Sequence, residues 1–322
     1  MRNKDVLFPV DIQNGAIHLA RTNADDVSDA PFLFAPHFSP RAGKALPVAS
    51  VHRGRGGPRY IFHTAFCCST LLAKAMDVPG KCLALKEPDI LMKLSNAQRM
   101  SSPDGRAECV EAVGAALFNT SEDLSEAVVV KPTNAANRLI SDQISNPSSR
   151  GIVIHSDLES FLLSIVRKGE EGRIFVRRLF NIFRMDSAFA QSLPDRDLFT
   201  LSDLQIAALV WAIQCDQINQ ANAVKPGRLR SLHCDDFLDD PASVLVKVNA
   251  WLNTGLSAED IDRQVNGPVF KSNSKDASEA YDTSIRSEER ADAAGKWADS
   301  IQFTQNWAYK LPLAQQISVP KL

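Results

Sequence analysis

The sequence predicts an α/β fold of three layers around a mainly parallel sheet of five strands. After Pro58, short and almost entirely apolar runs alternate with longer amphipathic stretches, and each run ends at a polar residue or just before one. Apolar strands are typical of a parallel sheet that is buried on both faces. Alternating strands and helices imply right-handed crossovers, which place a layer of helices on each face of the sheet.

The expected strands and helices follow one another along the chain. Strands are predicted at residues 60–63, 82–86, 127–131, 151–155 and 229–233. Helices are predicted at residues 70–76, 106–117, 158–167, 204–223 and 242–252. Ligands of such sheets bind beyond the carboxyl ends of the strands, so the polar residues there are expected to face one site. These residues are His63, Lys86, Glu87, Lys131, His155 and His233.

The chain is predicted to consist of an N-terminal extension, residues 1–57, packed on an α/β domain of residues 58–322. The first segment lacks clear periodicity and mixes Pro, Gly and Asn with short apolar pieces. A small independent domain is the alternative for this segment. Residues 271–292 contain few apolar side chains and are predicted to form a mobile surface loop or lid.

Composition limits the classes of function. The net charge of −2 over 322 residues argues against a broad face for nucleic acid. No apolar run has the length of a membrane span or a signal peptide, so a cytoplasmic protein is expected. The six cysteines form no CxxC pair and no zinc-type spacing, which indicates reduced thiols and predicts no metal site. The oligomeric state is not indicated.

Residues 59–76 are expected to form a strand, a tight loop and a helix. Ser69 and Thr70 open the helix, where free backbone N–H groups and the positive end of the helix dipole favour an anion. This arrangement indicates a P-loop-like fold. The GxxxxGK[ST] signature is incomplete, because His63 and Cys68 stand at its glycines and Ser69 at its lysine. Enzymes that hydrolyse ATP use that lysine for the β- and γ-phosphates.

Four segments together resemble the bacterial sulfotransferase family. Residues 63–72, HTAFCCSTLL, resemble its phosphosulfate loop, and the Lys-Glu-Pro of residues 86–88 resembles its basic-Glu-Pro step. Residues 152–164 resemble the strand–helix segment that binds the 3′-phosphate of the nucleotide. Residues 231–252 resemble the family's Tyr-Glu-Asp-Leu…Asp-Pro block and the helix that follows it. The resemblance covers most of the predicted α/β domain.

The resemblance implies that the co-substrate is 3′-phosphoadenosine 5′-phosphosulfate. It implies transfer of a sulfuryl group to a hydroxyl or amine of a small-molecule or carbohydrate acceptor, without a metal. The protein would align the acceptor with the donor, neutralise charge on the leaving phosphate and remove the acceptor's proton. Two alternatives stay open at this point. They are a P-loop kinase-like, ATP-dependent phosphotransferase and a non-catalytic nucleotide-binding protein on the same fold.

The resemblance also implies which residues hold the nucleotide. The residues of the phosphosulfate loop would be Ala65, Phe66, Cys67, Cys68, Ser69 and Thr70. The 3′-phosphate segment contributes His155, Ser156 and Ser164, and a late mobile loop contributes Lys275. The family usually has arginine where this chain has His155 or Ser156. A histidine there predicts a pH-dependent phosphate contact, since imidazole loses its charge near about pH 6.5.

Three residues are candidates for the chemistry. Phe66 stands where cytosolic relatives have a lysine that contacts the leaving phosphate, so Lys131 is expected to supply the cation. Thr133 stands where those enzymes have a catalytic histidine, and threonine is a poor base. Glu87 is therefore expected to be the base, with a structural ion pair to Lys86 or to a loop arginine as the alternative. His63 is the third candidate.

Overall fold

The structure is a computed structural model of the chain. It describes residues 5–52, 57–100, 106–122, 124–271 and 283–322. The strands are β1 (Asp5–Gln13), β2 (Ala16–Asn23), β3 (Arg41–Pro47), β4 (Arg59–His63), β5 (Gly80–Lys86), β6 (Ser125–Lys131), β7 (Arg150–His155) and β8 (Leu229–His233).

The helices surround these strands. They are α1 (Ala24–Asp29), α2 (Ser69–Met76), α3 (Asp89–Met100), α4 (Arg106–Glu122), α5 (Ile140–Gln143), α6 (Leu158–Arg167), α7 (Gly169–Arg184), α8 (Ala188–Ser192), α9 (Asp195–Thr200), α10 (Asp203–Val224), α11 (Cys234–Asp239), α12 (Pro241–Leu252), α13 (Ala258–Asn266) and α14 (Thr283–Ala308). Within the described ranges, no helix combines the length and the apolar character needed to cross a bilayer.

The predicted parallel sheet is confirmed. Its five strands run parallel in the order β5-β6-β4-β7-β8. Each strand ends at the predicted residue and begins at most two residues earlier than predicted. The five predicted helices are present as α2, α4, α6, α10 and α12. The apolar runs predicted the strand bounds well, because a strand that is buried on both faces contains few polar residues.

Side chains of the sheet alternate between two hydrophobic cores. Tyr60 and Phe62 of β4 belong to a core that also contains residues of α3 and α4. Ile61 between them belongs to a second core formed with α2 and α12. A third core joins α6, α7, α10 and α14. The sheet is therefore covered by helices on both faces, as a three-layer α/β fold requires.

The N-terminal segment contains a sheet that the sequence did not predict. Strands β1, β2 and β3 form an antiparallel sheet in that order. Its register shifts between Pro9 and Asp11, and almost every residue of β3 is exposed. A shifted register interrupts the alternation of polar and apolar residues, and an exposed strand shows none. The pattern that would reveal these strands is therefore missing from the sequence.

The N-terminal segment and the parallel sheet contribute to one hydrophobic core. Phe8, Ile17 and Leu33 lie in the same cluster of buried residues as Leu85 and Val130. Leu33 is also joined to the end of β5 by its backbone: its N–H donates to the carbonyl of Lys86 at 2.7 Å, and its own carbonyl accepts from the N–H of Asp89 at 3.1 Å. The N-terminal segment is thus fixed beside a strand end of the sheet. A domain boundary at residue 57 stays a prediction.

The loop predicted over residues 271–292 needs correction. Helix α14 begins at Thr283, so the last ten residues of the expected loop are helical. Residues 272–282, including Lys275, lie outside the described residues. The polar composition was misleading because Ala, Glu and Arg, which are frequent after residue 283, are strong helix formers.

Gly151 of β7 tests the packing of the central strands. A Cβ added there would lie 2.8 Å from Phe62 Cε2 and 2.8 Å from Leu229 Cδ2. We expect Gly151→Ala to lower the free energy of unfolding by about 1–3 kcal/mol, because the added methyl group overpacks the sheet. Urea denaturation measures this change.

Gly295→Ala in α14 is the matched control. Apart from its chain neighbours and the backbone of its own helix, no described residue has an atom within 4 Å of a Cβ added at Gly295. Replacing a helix-interior glycine should leave stability unchanged or raise it by up to about 1 kcal/mol. Equal stability of Gly151→Ala and the unmodified protein would contradict the close packing of β7 between β4 and β8.

Candidate functional site

A cavity of about 930 Å³ lies at the carboxyl ends of β4, β5 and β6. Ligand sites commonly measure roughly 300–1,000 Å³, so the cavity is at the large end of that range. Ten of the thirteen predicted site residues line it. They are His63, Ala65, Phe66, Cys67, Cys68, Ser69, Thr70, Glu87, Lys131 and Ser164. Thr133 and Asn134, which follow β6, line it as well.

The loop between β4 and α2 has an unusual backbone. Ala65, Phe66 and Cys68 have positive φ angles of 68°, 52° and 60°, although none of them is glycine. Left-handed backbone at a non-glycine residue costs on the order of 1–3 kcal/mol and persists only where the surroundings enforce it. Turns that include left-handed residues can direct successive N–H groups to one side, which is the geometry of anion-binding loops.

His63 holds this loop in place. Its Nδ1 accepts the N–H of Ala65 at 3.1 Å, so the proton of the ring must be on Nε2. That nitrogen lies 3.1 Å from the carbonyl oxygen of Pro132 and donates to it. The carbonyl of His63 accepts from Asn137 Nδ2 at 3.1 Å. Because both ring nitrogens are engaged with backbone groups, the geometry favours a positioning role for His63 over its predicted role as a base.

Helix α2 begins at the cavity without a side-chain cap. Its N-cap residue, Cys68, makes no capping hydrogen bond through its side chain. Ser69 and Thr70, the first two residues of the helix, are buried and line the cavity. The first N–H groups of a helix have no partner within the helix, and an anion satisfies them well. The helix start is therefore suited to a phosphate or sulfate group.

A buried ion pair joins the ends of β5 and β6. Lys131 Nζ donates to Glu87 Oε1 at 2.5 Å, with 1% of the lysine side chain and 16% of the glutamate side chain exposed. The backbone N–H of Glu87 also donates to the carbonyl of Lys131 at 2.7 Å. Lys86 does not take part, since its Nζ lies 3.3 Å from Asp77 Oδ2. Glu87 thus pairs with the lysine that was expected to supply the catalytic cation.

The charges around the cavity favour an anionic ligand. Four basic side chains and two acidic side chains line it. The basic residues are Lys131, Arg167, Lys168 and Arg178, and the acidic ones are Glu87 and Glu171. Of these six residues, Lys131 and Glu87 were predicted from the sequence. The others lie on α7 or at the end of α6, and α7 was not predicted.

Phe66 belongs to an apolar wall of the cavity. Its ring centroid lies 5.8 Å from that of Phe161 and 5.3 Å from that of Phe175. Lys168 Nζ lies 5.9 Å from the centroid of the same ring. The ammonium group of Lys168 therefore lies close to Phe66, the position at which the sequence resemblance would place a lysine. This lysine is at the end of α6, whereas the expected lysine would be in the loop between β4 and α2.

The Cys67 thiol of the loop is not activated. Cys67 is buried, its Sγ donates to the carbonyl of Ile154 at 3.2 Å, and burial raises the pKa of its thiol to about 11. A thiol is nucleophilic only when deprotonated, so Cys67 is unreactive near neutral pH. All six cysteines are free, in agreement with the reduced thiols predicted from the sequence.

His155 requires a correction. Its ring packs edge-on against that of His233, with centroids 5.4 Å apart, and it is not among the residues that line the large cavity. Burial, together with the nearby His233, lowers the pKa of His155 to about 4. The ring is therefore already uncharged at pH 6, and the pH-dependent phosphate contact expected between pH 6 and 8 does not follow.

Ser156 lies in a small pocket beside the large cavity. Ser160, Ser164, Arg167 and Arg290 also line this pocket, and Ser164 and Arg167 belong to both spaces. The hydroxyl of Ser156 is buried and has no hydrogen-bond partner among the described residues. Arg290 Nη2 donates to Ser160 Oγ at 2.6 Å. The pocket thus combines two guanidinium groups with three hydroxyls, one of them unsatisfied, and with the carboxylate of Asp235, which lies 3.6 Å from Arg290 Nη1; its volume is about 10 Å³.

His233 is the histidine with a raised pKa. The carboxylate of Asp157, whose Oδ2 lies 3.6 Å from His233 Nε2, raises the pKa of His233. The same interaction lowers the pKa of Asp157 to about 2. Asp157 also caps α6 by accepting the N–H of Ser160 at 2.7 Å. This pair therefore connects the end of β8 to the start of α6.

One group of possible metal-ligand atoms is found in the described part of the chain. Atoms of His233, Cys234 and Asp235 lie within 4.8 Å of one another. His233 Nδ1 already accepts the N–H of Asp235 at 3.3 Å. Burial raises the pKa of the Cys234 thiol, and a metal would need the thiolate. These residues do not fit a metal site, and the predicted absence of a metal stays a prediction.

Comparisons with known proteins give matches among solved structures alone. No protein-family model and no curated protein matches the chain. The sulfotransferase domain from the curacin biosynthetic pathway is 15% identical, covers 76% of this chain and 98% of its own, and has a TM-score of 0.45. Sulfotransferase STF9 from Mycobacterium avium is 14% identical, with coverages of 79% and 78% and a TM-score of 0.42. The sulfotransferase domain from the Synechococcus PCC 7002 olefin synthase is 15% identical, with coverages of 81% and 98% and a TM-score of 0.41.

The pair of His233 and Asp157 predicts a pH dependence of stability. Because folding raises the pKa of His233 above about 6.5, the protonated ring stabilises the fold fully below that pH. This contribution is lost as the pH rises through the folded pKa. We expect the melting temperature of the unmodified protein to exceed that of His233→Gln most at pH 6, and the difference to shrink towards pH 9.

His18→Gln is the control for this experiment, because His18 is an exposed residue of β2. Thermal unfolding monitored by fluorescence at closely spaced pH values gives both comparisons. Asp157→Asn should remove the pH dependence as His233→Gln does. A difference between the unmodified protein and His233→Gln that stays constant from pH 6 to 9 would contradict the proposed pairing.

Proposed function

We propose that this protein is a sulfotransferase that moves a sulfuryl group from 3′-phosphoadenosine 5′-phosphosulfate to a hydroxyl or amine of a small acceptor. One observation carries the proposal. The uncapped start of α2 and the buried pair of Lys131 and Glu87 lie on the same cavity, at the carboxyl ends of neighbouring strands. An anion site and an acid–base pair side by side are what the transfer of an anionic group needs.

The residues around the cavity fit a donor that carries two separate anionic groups. The loop of residues 65–68 and the first N–H groups of α2 would hold the 5′-phosphosulfate. Ser164 and Arg167, which line both spaces, would hold the 3′-phosphate at the mouth of the small pocket, with Ser156 and Arg290 behind them. Arg290 would then take the place of the arginine that the family has near residue 155. The unsatisfied hydroxyl of Ser156 supports a polar ligand there.

The chemistry assigned to the chain is charge neutralisation and proton transfer. The donor supplies an activated sulfuryl group, whose bond to the phosphate oxygen breaks as the acceptor oxygen or nitrogen bonds to sulfur. Lys131 would stabilise the negative charge that develops on the leaving phosphate. Glu87 Oε1 accepts from Lys131, and Oε2 has no partner among the described residues. Glu87 Oε2 would therefore receive the proton of the acceptor.

Two other functions are alternatives for the same site. An ATP-dependent phosphotransferase needs a lysine for the β- and γ-phosphates, and Ser69 stands in its place. A non-catalytic nucleotide-binding protein is the second candidate. The packing of Phe66 into an apolar wall favours it, because a cation is expected from that position of the loop in an active enzyme.

Binding of the product nucleotide tests the proposal without an acceptor. We expect 3′-phosphoadenosine 5′-phosphate to bind more tightly than ATP with magnesium in calorimetric titration, because its phosphates match the two anion sites. At 100 times its dissociation constant it should raise the free energy of unfolding by about 2.7 kcal/mol. Adenosine, which has no phosphate, is the control ligand and should stabilise the protein far less.

The outcomes separate the three functions. Tighter binding of ATP with magnesium would contradict the sulfotransferase proposal and favour a phosphotransferase. Equal binding of adenosine and the bisphosphate would show that the phosphates are not recognised. Tight binding of the bisphosphate without transfer from the donor to any acceptor, amines included, would favour the non-catalytic candidate.

A further inference from the structure

One face of α7 forms a wall of the cavity and has no part in the proposed donor site. Glu171, Ile174, Phe175 and Arg178 line the cavity from this helix. Their spacing of three, one and three residues places them on a single helix face. The face is acidic at its first residue, apolar in the middle and basic at its last residue. A helix face of this kind can contact a ligand that is apolar in one part and charged in another.

Arg178 differs from the other arginines of α7. Arg173 and Arg177 both pair with Asp203, at 3.5 and 2.6 Å, and Arg184 pairs with Asp195 at 2.8 Å. Among the described residues, Arg178 has neither an ion pair nor a hydrogen bond, and it is the one arginine of this helix that lines the cavity. Glu171 lies two turns away on the same face, about 10 Å along the axis, and is too distant to neutralise it.

Aromatic side chains line the cavity from three parts of the chain. Phe32, from the N-terminal segment, lines the cavity and stacks on Phe34 with ring centroids 5.3 Å apart. The backbone hydrogen bonds of Leu33 to Lys86 and Asp89 hold this segment beside the end of β5, and both Phe32 and Glu87 line the cavity. Phe66 and Phe175, whose rings lie 5.3 Å apart, add further apolar surface. A space between aromatic side chains beside the proposed base is suited to the body of an apolar acceptor.

We infer that the acceptor is an amphipathic hydroxy acid, a compound with a hydroxyl group, an apolar body and a carboxylate or other anionic group. Its hydroxyl faces Glu87, its body lies between Phe32 and Phe175, and its anionic group binds the guanidinium of Arg178. This inference rests on the proposed sulfotransferase function. The planar guanidinium binds a carboxylate through two parallel hydrogen bonds, which fixes the orientation of the acceptor.

Matched pairs of acceptors test the inference. The probes are para-hydroxyphenylacetate with its amide and omega-hydroxydecanoate with its amide; within each pair the anionic carboxylate is replaced by a neutral amide of similar size. With the sulfuryl donor present, kcat/KM should be higher for each acid than for its amide. Arg178→Gln should lower kcat/KM of the acids by roughly 10- to 100-fold, the range for a hydrogen bond to a charged group. It should leave the amides unchanged, and Arg178→Lys should restore part of the loss.

Arg177→Gln is the matched control, because Arg177 is the neighbouring arginine and is held by Asp203. It should not change the ratio of acid to amide. A second readout does not depend on turnover: with 3′-phosphoadenosine 5′-phosphate bound, the acids should raise the melting temperature more than the amides, and Arg178→Gln should abolish the difference. Equal kcat/KM values for acids and amides, together with equal rises in melting temperature, would overturn the inference.

The failure of this inference can be told apart from the failure of the proposed function. Calorimetric titration of the same samples with 3′-phosphoadenosine 5′-phosphate reports on the donor site. Intact nucleotide binding without a preference for acids overturns the inference about Arg178 alone. If the unmodified protein does not bind the nucleotide, the sulfotransferase proposal is overturned, and the inference about Arg178 is overturned with it.

Discussion

The site depends on the conformation of the loop between β4 and α2. Three residues without glycine's freedom, Ala65, Phe66 and Cys68, are held in left-handed backbone at a cost of about 1–3 kcal/mol each. His63 resists relaxation of the loop, because it binds the N–H of Ala65 on one side and the carbonyl of Pro132 on the other. The loop thereby keeps the start of α2 at the cavity. The side chain of Cys68, the N-cap residue, does not cap this helix.

The second feature of the site is the placement of charge at two strand ends. A lysine that is 1% exposed needs a partner, since an unpaired buried charge is costly. The parallel register of β5 and β6 sets Lys86 beside Lys131, so Glu87 follows directly and reaches Lys131 Nζ. The N-terminal segment is tied to the same strand end through Leu33, which explains how a region outside the parallel sheet contributes a wall to the cavity.

The sequence predicted the parallel sheet and most of the cavity lining, because buried strands are apolar and strand ends gather polar residues. It did not predict the partners of these residues. The ring of His63 accepts a hydrogen bond from the backbone N–H of Ala65, and burial together with His233 lowers the pKa of His155. Neither interaction can be read from the order of residues along the chain. Helix α7 was also missed, although Val176, Leu179, Phe180 and Phe183 have the i, i+3, i+4, i+7 spacing of an amphipathic helix, so the signal for this helix was present in the sequence. The bulged, exposed N-terminal strands lack the alternation that identifies a strand.

The most direct test of the site is a titration of the ¹⁵N-labelled protein with 3′-phosphoadenosine 5′-phosphate, followed through the backbone amide signals. If the loop and the start of α2 bind the 5′-phosphate, the largest shifts should occur at Ala65, Phe66, Cys67, Cys68, Ser69 and Thr70. Adenosine 3′-phosphate, which lacks the 5′-phosphate, should leave these amides almost unchanged. Saturation of the protein by the bisphosphate without movement of these signals would contradict the account of the site.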